Sequence, residues 1–132
     1  MPANPKTPRL GDLLICDDVR LEADGRYSLM GVYPGSVVTV HQLPTIISQL
    51  AFCFRFSGVT PTTKADFVFR SPDGHEARPI SANPLQAPPE TEEAIYIVHA
   101  APLQVSQPGE HRIFIKASTH ILETSFRIAQ PK

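Results

Sequence analysis

Two adjacent carboxylates, Asp17 and Asp18, stand inside "ICDDVRLEADGRYSLMGVYPG", Ile15 to Gly35. Carboxylates so placed can move protons, hold a cation or accept hydrogen bonds that shape the chain. Strict alternation through "LLICDDVRLE" sets Leu13, Ile15, Val19 and Leu21 on one face, with Asp17 in the middle of it. An unpaired charge on a core face costs several kcal/mol, so the pattern must be relieved. Three readings stay open. A β-bulge at Asp17–Asp18 changes the register, so that Leu14 and Cys16 share a face with Val19 and Leu21. A semi-buried Asp17 is satisfied by Arg20, Arg26 or backbone amides. A cation site joins Asp17 and Asp18 to Asp73 or Asp24 from a turn, since calcium takes about six to eight oxygens from several segments. No D-x-D-x-D-G run accompanies them.

Other chemistry-bearing residues form weaker patterns. The five histidines, His41, His75, His99, His111 and His120, make no H-x-H, H-E-x-x-H or Cys/His zinc spacing. Solvated or locally satisfied imidazoles are the expectation. Cys16 and Cys53 form neither a CxxC unit nor a disulfide framework, and read as packed, reduced thiols. There is no G-x-S-x-G elbow, phosphate-cradling glycine loop or dinucleotide fingerprint. Tyr27, Tyr33 and Tyr96 alternate with apolar neighbours and read as half-buried, while Phe52, Phe54, Phe56, Phe67 and Phe69 read as core. Phe114 differs. It falls between Arg112 and Lys116 on the polar face of its strand, and an aromatic beside arginine suits an interface anchor. These three are the interaction candidates.

The elements that must position such residues are strands. In "QLAFCFRFSG", Leu50, Phe52, Phe54 and Phe56 share one face against Ala51, Cys53, Arg55 and Ser57. In "HRIFIKA", Ile113 and Ile115 oppose Arg112, Phe114 and Lys116. In "HILETSFRIA", Leu122, Thr124, Phe126 and Ile128 oppose Glu123, Ser125 and Arg127. "ADGR" and "SPDG" place Asp-Gly at tight turns, and "YPGS" and "QPGE" place Pro-Gly before strands. Glu110–Ala117 and Ile121–Ile128 should form a hairpin turning near Ser118–Thr119. "QLPTIISQL" is short and β-branched, and reads as a crossover between strands.

The chain has 132 residues, 42% hydrophobic and 19% charged, which suits one globular domain that buries roughly two-thirds of its unfolded surface. The expected layout is a flexible Pro-rich lead-in over residues 1–10 and one domain over 11–130. Fold class is all-β: an antiparallel two-sheet β-sandwich of about seven to eight strands with little helix. Ser81 to Glu93, with three of the chain's fourteen prolines, is expected as a long loop. Net charge is −1 with no basic run, which argues against nucleic acid as a partner. No stretch reaches the about 18–20 apolar residues of a membrane span, and "MPANPKTPRLGDLL" lacks an apolar signal core.

The opening motif also carries a resemblance. Cys16, Asp17, Asp18, Val19, Arg20, Glu22, Gly25, Ser28, Leu29, Gly31, Val32 and Tyr33 resemble the CDDVR…G…SLxGVY hallmark of an uncharacterised family of short bacterial proteins. "FRSPDG" and "PGEHRIFI" fit the same layout more loosely. The resemblance implies a compact β-sandwich in a bacterial cytosol, with no activity and no functional residue to carry over. From the residues themselves, the motif reads as a hairpin turning at Ala23–Gly25. Gly31 then leaves room for a close neighbour, and the acidic pair sets register before it recognises anything.

The leading expectation is a non-catalytic module that binds a protein partner in the cytoplasm, with no cofactor. A calcium- or other cation-dependent binding sandwich using Asp17, Asp18 and Asp73 is the alternative. A small hydrolase or carbohydrate-active enzyme is the third, and would need a cleft with converging polar groups.

Overall fold

The computed structural model describes residues 8–58, 65–79, 81–85, 93–100, 102–117 and 119–131. Among these, thirteen strands and one 3-10 turn (Pro34–Ser36) form. The strands are β1 (Arg9–Cys16), β2 (Asp18–Leu21), β3 (Tyr27–Met30), β4 (Val37–Thr39), β5 (Thr45–Ile47), β6 (Ala51–Ser57) and β7 (Ala65–Arg70). They continue with β8 (Glu76–Ala77), β9 (Ser81–Leu85), β10 (Glu93–His99), β11 (Leu103–Val105), β12 (Gly109–Ala117) and β13 (His120–Ala129).

The all-β class holds, but the strand count is higher than seven or eight. A four-stranded sheet runs β1-β6-β10-β9 and a five-stranded sheet runs β4-β13-β12-β7-β8. The ribbons β2-β3 and β5-β11 supply the rest. Asp17 splits what reads as one alternating run into β1 and β2, and "QLPTIISQL" yields the short strand β5. Pairing is antiparallel except between β13 and β4, which run parallel. β1 starts at Arg9, inside the stretch expected as lead-in.

The loop expected from Ser81 to Glu93 is corrected at both ends. Ser81–Leu85 is a strand that pairs with β10, Tyr96 opposite Pro84, and β10 itself begins at Glu93. Proline donates no N–H to a ladder, so an edge strand is where a sheet tolerates it. Residues 86–92 lie outside the described residues.

Rings join the two larger sheets. Phe52 of β6 meets Phe69 of β7 at 5.0 Å between centroids and Phe126 of β13 at 5.1 Å. Phe54 of β6 meets Phe67 of β7 at 5.0 Å. The two Phe52 contacts are edge-to-face and the Phe54–Phe67 pair is tilted; edge-to-face pairs add about 0.5–1.5 kcal/mol each beyond the area they bury. Ile15, Phe52, Phe54, Val98, Ile113, Ile115 and Ile128 are buried in one cluster, so the alternation of β6, β12 and β13 sorts inward from outward residues as expected. The β12-β13 hairpin runs from Gly109 opposite Ile128 to Ala117 opposite His120. Ser118, expected in its turn, lies outside the described residues.

Candidate functional site

The chain leaves β1 at Asp17 and turns into the β2-β3 ribbon. The backbone N–H of Asp17 donates to the carbonyls of Met30 (2.9 Å) and Gly31 (3.2 Å), and the N–H of Tyr33 donates to Ile15 (2.8 Å). The Tyr33 hydroxyl donates to Oδ1 of Asp17 at 3.0 Å. Burial, then the Asp17 bond and its charge, raise the pKa of Tyr33, which keeps it a donor. Gly31 sits directly against the carboxylate. A Cβ there would lie 2.5 Å from Oδ2 of Asp17 and 3.0 Å from its Cγ, and the backbone holds φ +70°. Both facts require glycine.

Asp18 faces different neighbours. Its Oδ1 accepts the Val19 N–H at 2.9 Å, and its carbonyl accepts the Cys16 thiol at 3.3 Å. The acidic pair is thus engaged within its own hairpin: Asp18 takes a backbone amide, one of the expected partners, while Asp17 takes Tyr33, which was not expected. Arg26 pairs with Asp24 at 2.6 Å rather than with Asp17. The register shift falls between Leu10 and Leu13, not at Asp17–Asp18. Because the ribbon steps out of the sheet, Val19 is half-buried and Leu21 is exposed instead of sharing the core face of Ile15.

Asp73 lies in the turn between β7 and β8, where its Oδ1 accepts the Ser71 hydroxyl and the His75 N–H (3.2 Å). Among the described residues, no three His, Cys, Asp or Glu side chains converge as a metal would need. The structure therefore does not bring Asp17, Asp18 and Asp73 together.

The outer face of the four-stranded sheet holds both thiols. Cys16 and Cys53 are free and buried on adjacent strands, and Tyr27 of the ribbon lies beside Cys53. Burial, with Cys53 nearby as the second cause, pushes the Cys16 pKa up to about 11. A thiol so protonated is a poor nucleophile.

Phe114, Arg112 and Lys116 lie on the outer face of the five-stranded sheet. Phe114 is half-buried in the middle of that face, opposite Val68 on one side and Glu123 on the other. The Arg70 guanidinium lies over its ring, 4.5 Å from the centroid. Around it run the pairs Arg70–Glu76 (2.6 Å), Arg112–Glu123 (3.6 Å) and Arg78–Asp66 (3.5 Å). Lys116 is exposed opposite Asp66 and Ile121. The structure brings all three candidates onto one surface. It adds Arg70, which lies opposite Arg112 and was not singled out from the sequence.

His111 was also missed as a special residue. It is 5% exposed, the one polar or charged side chain that counts as buried among the described residues. The signal was in "HRIFIKA": two positions before Ile113, His111 falls on the inward face. Its Nδ1 lies 3.2 Å from the Gly109 carbonyl. Burial lowers its pKa, opposed by that hydrogen bond and by the charge of Asp73.

No curated protein matches the chain. Residues 12–129, from just before the Cys-Asp-Asp motif to the end of β13, match a family model described as a family of unknown function (DUF6941), and the chain belongs to that family.

Proposed function

We propose that the protein is a non-catalytic interaction module of the bacterial cytoplasm, and that it meets a protein partner through the outer face of its five-stranded sheet. The observation that carries this reading is Phe114 under the Arg70 guanidinium in the middle of that face. An aromatic ring and arginines at the centre, ringed by charge pairs, is the composition in which interface anchors concentrate. The face is a regular ladder of paired strands, so a partner needs little rearrangement of this chain to dock. Two free thiols fit a reducing compartment. No helix among the described residues is long and apolar enough to cross a membrane.

The test is affinity capture from the lysate of the source bacterium, with Phe114→Ser and Arg112→Ala beside the wild type. A partner held by the wild type and lost with Phe114→Ser supports the reading. A partner held equally by all three proteins moves the interface elsewhere on the domain.

A further inference from the structure

A cavity of about 170 Å³ opens beside the turn that joins β7 to β8, and it is built from both inward and turn residues. Phe69, Leu103 and Phe126 give it an apolar wall, while Asp73, Ser106 and His111 bring polar atoms to it. It belongs neither to the contact of Asp17 with Tyr33 and Gly31 nor to the Phe114 face.

The polar groups have a definite hydrogen-bonding character. A carbonyl only accepts, so the contact between His111 Nδ1 and Gly109 O places the proton on Nδ1. The neutral ring then presents Nε2 as an acceptor. Nε2 has no hydrogen-bond partner within the described protein, yet it is not a sealed, unsatisfied atom. His111 lines the cavity, which offers this acceptor room for a donor. At Asp73 both hydrogen bonds end on Oδ1, leaving Oδ2 for another donor. Those bonds also lower the Asp73 pKa, the Ser71 bond most, so the carboxylate is charged at neutral pH. Among the described residues, no lysine or arginine lines the cavity to balance it, and His75 is the other titratable side chain there besides Asp73 and His111.

We propose that this cavity binds a small organic cation, a protonated amine carried on a ring or short apolar body. An ammonium has three donors and no acceptor, the complement of Asp73 Oδ2 and His111 Nε2. The body packs between Phe69, Leu103 and Phe126, whose ring faces also favour a nearby positive charge. A cavity of about 150 Å³ accepts benzene, so this one suits a ligand of about seven or eight heavy atoms.

The probes are benzylamine, benzyl alcohol and benzoate, which share a ring and differ in charge. Each is titrated into the full chain at pH 7.5 and followed by amide chemical shifts in two-dimensional NMR. Benzylamine should bind with a Kd of roughly 1–10 mM, ordinary for a ligand of this size. It should shift the amides around Leu103, His111 and Phe126 in a saturable way. Benzyl alcohol should bind about fivefold more weakly, and benzoate should not bind. Asp73→Asn, in an exposed turn, should bring benzylamine to the level of the alcohol. Ser106→Leu, which narrows the cavity from an exposed position, should weaken both. Equal binding of all three probes, saturable shifts that map elsewhere, or no saturable shift by the wild type would each overturn the proposal.

Discussion

The Tyr33 hydroxyl donates to the Asp17 carboxylate at 3.0 Å across sixteen positions of sequence, closing the exit from β1 onto the chain that leaves β3. With the backbone bonds from Asp17 to Met30 and Gly31, it makes the acidic motif a clasp. Asp17→Ala removes the acceptor and leaves a space over Gly31. We expect a loss of about 1 kcal/mol, because Tyr33 is half-buried and water replaces part of the bond. Asp17→Asn keeps an acceptor oxygen and should cost less. Urea denaturation of the two variants checks the order.

His111 gives the fold an acid-sensitive component. Burial depresses its folded pKa below the ordinary value of 6.5, so the unfolded chain binds its proton first as pH falls. The stability this neutral ring contributes is present above about pH 6.5 and is lost as pH falls through the folded pKa. His111→Gln should flatten that part of the profile. Melting temperature against pH, from 7.5 to 5, compares the two proteins.

The thiols should resist reagents in the folded state. Cys16 is fully buried, Cys53 nearly so, and burial raises both pKa values. A chromogenic disulfide reagent at pH 8 should label neither thiol until denaturant is added. Fast labelling of either in the native protein would contradict the packing described for the outer face of the four-stranded sheet. For Cys16 the folded pKa of about 11 exceeds the ordinary 9.0. Its contribution to stability is therefore complete below pH 9 and is lost as pH rises toward 11.

Phe114→Ser should separate binding from folding. The ring is half-buried under Arg70 and outside the core cluster, so the loss should stay near 1 kcal/mol or below. Capture of the partner should fail while the melting curve remains cooperative. A collapse of the fold would mean that Phe114 is structural.

Much of the fold was legible because period-two alternation reports sidedness directly. Phe52, Phe54 and Phe56 point inward as their spacing requires, and so do Ile113 and Ile115. The hairpin from Asp18 to Met30 follows from the Asp-Gly turn within it. The partner of Asp17 was not legible. Alternation ranks residues by face but does not say where the return of a hairpin brings a tyrosine, whereas Arg20 and Arg26 stand near Asp17 in the sequence. β9 was hidden by Pro84, since proline in a strand is favoured only where an edge leaves its missing N–H unneeded. The cavity was hidden for a related reason: Asp73 and His111 come from different elements, and only the packing of β7, β11, β12 and β13 sets them around one space.

The most direct test of the clasp is a double-mutant cycle between Gly31 and Asp17, read by urea denaturation. Gly31→Ala alone meets the carboxylate and an unfavourable positive φ together, and should cost about 2–4 kcal/mol. In an Asp17→Gly background the carboxylate is gone and only the backbone cost remains, about 1–2 kcal/mol. The account predicts that the two changes couple by 1 kcal/mol or more, about the size expected of residues in contact. Additivity within about 0.5 kcal/mol would mean that Asp17 and Gly31 do not press on each other, and the acidic pair would return to being a candidate site.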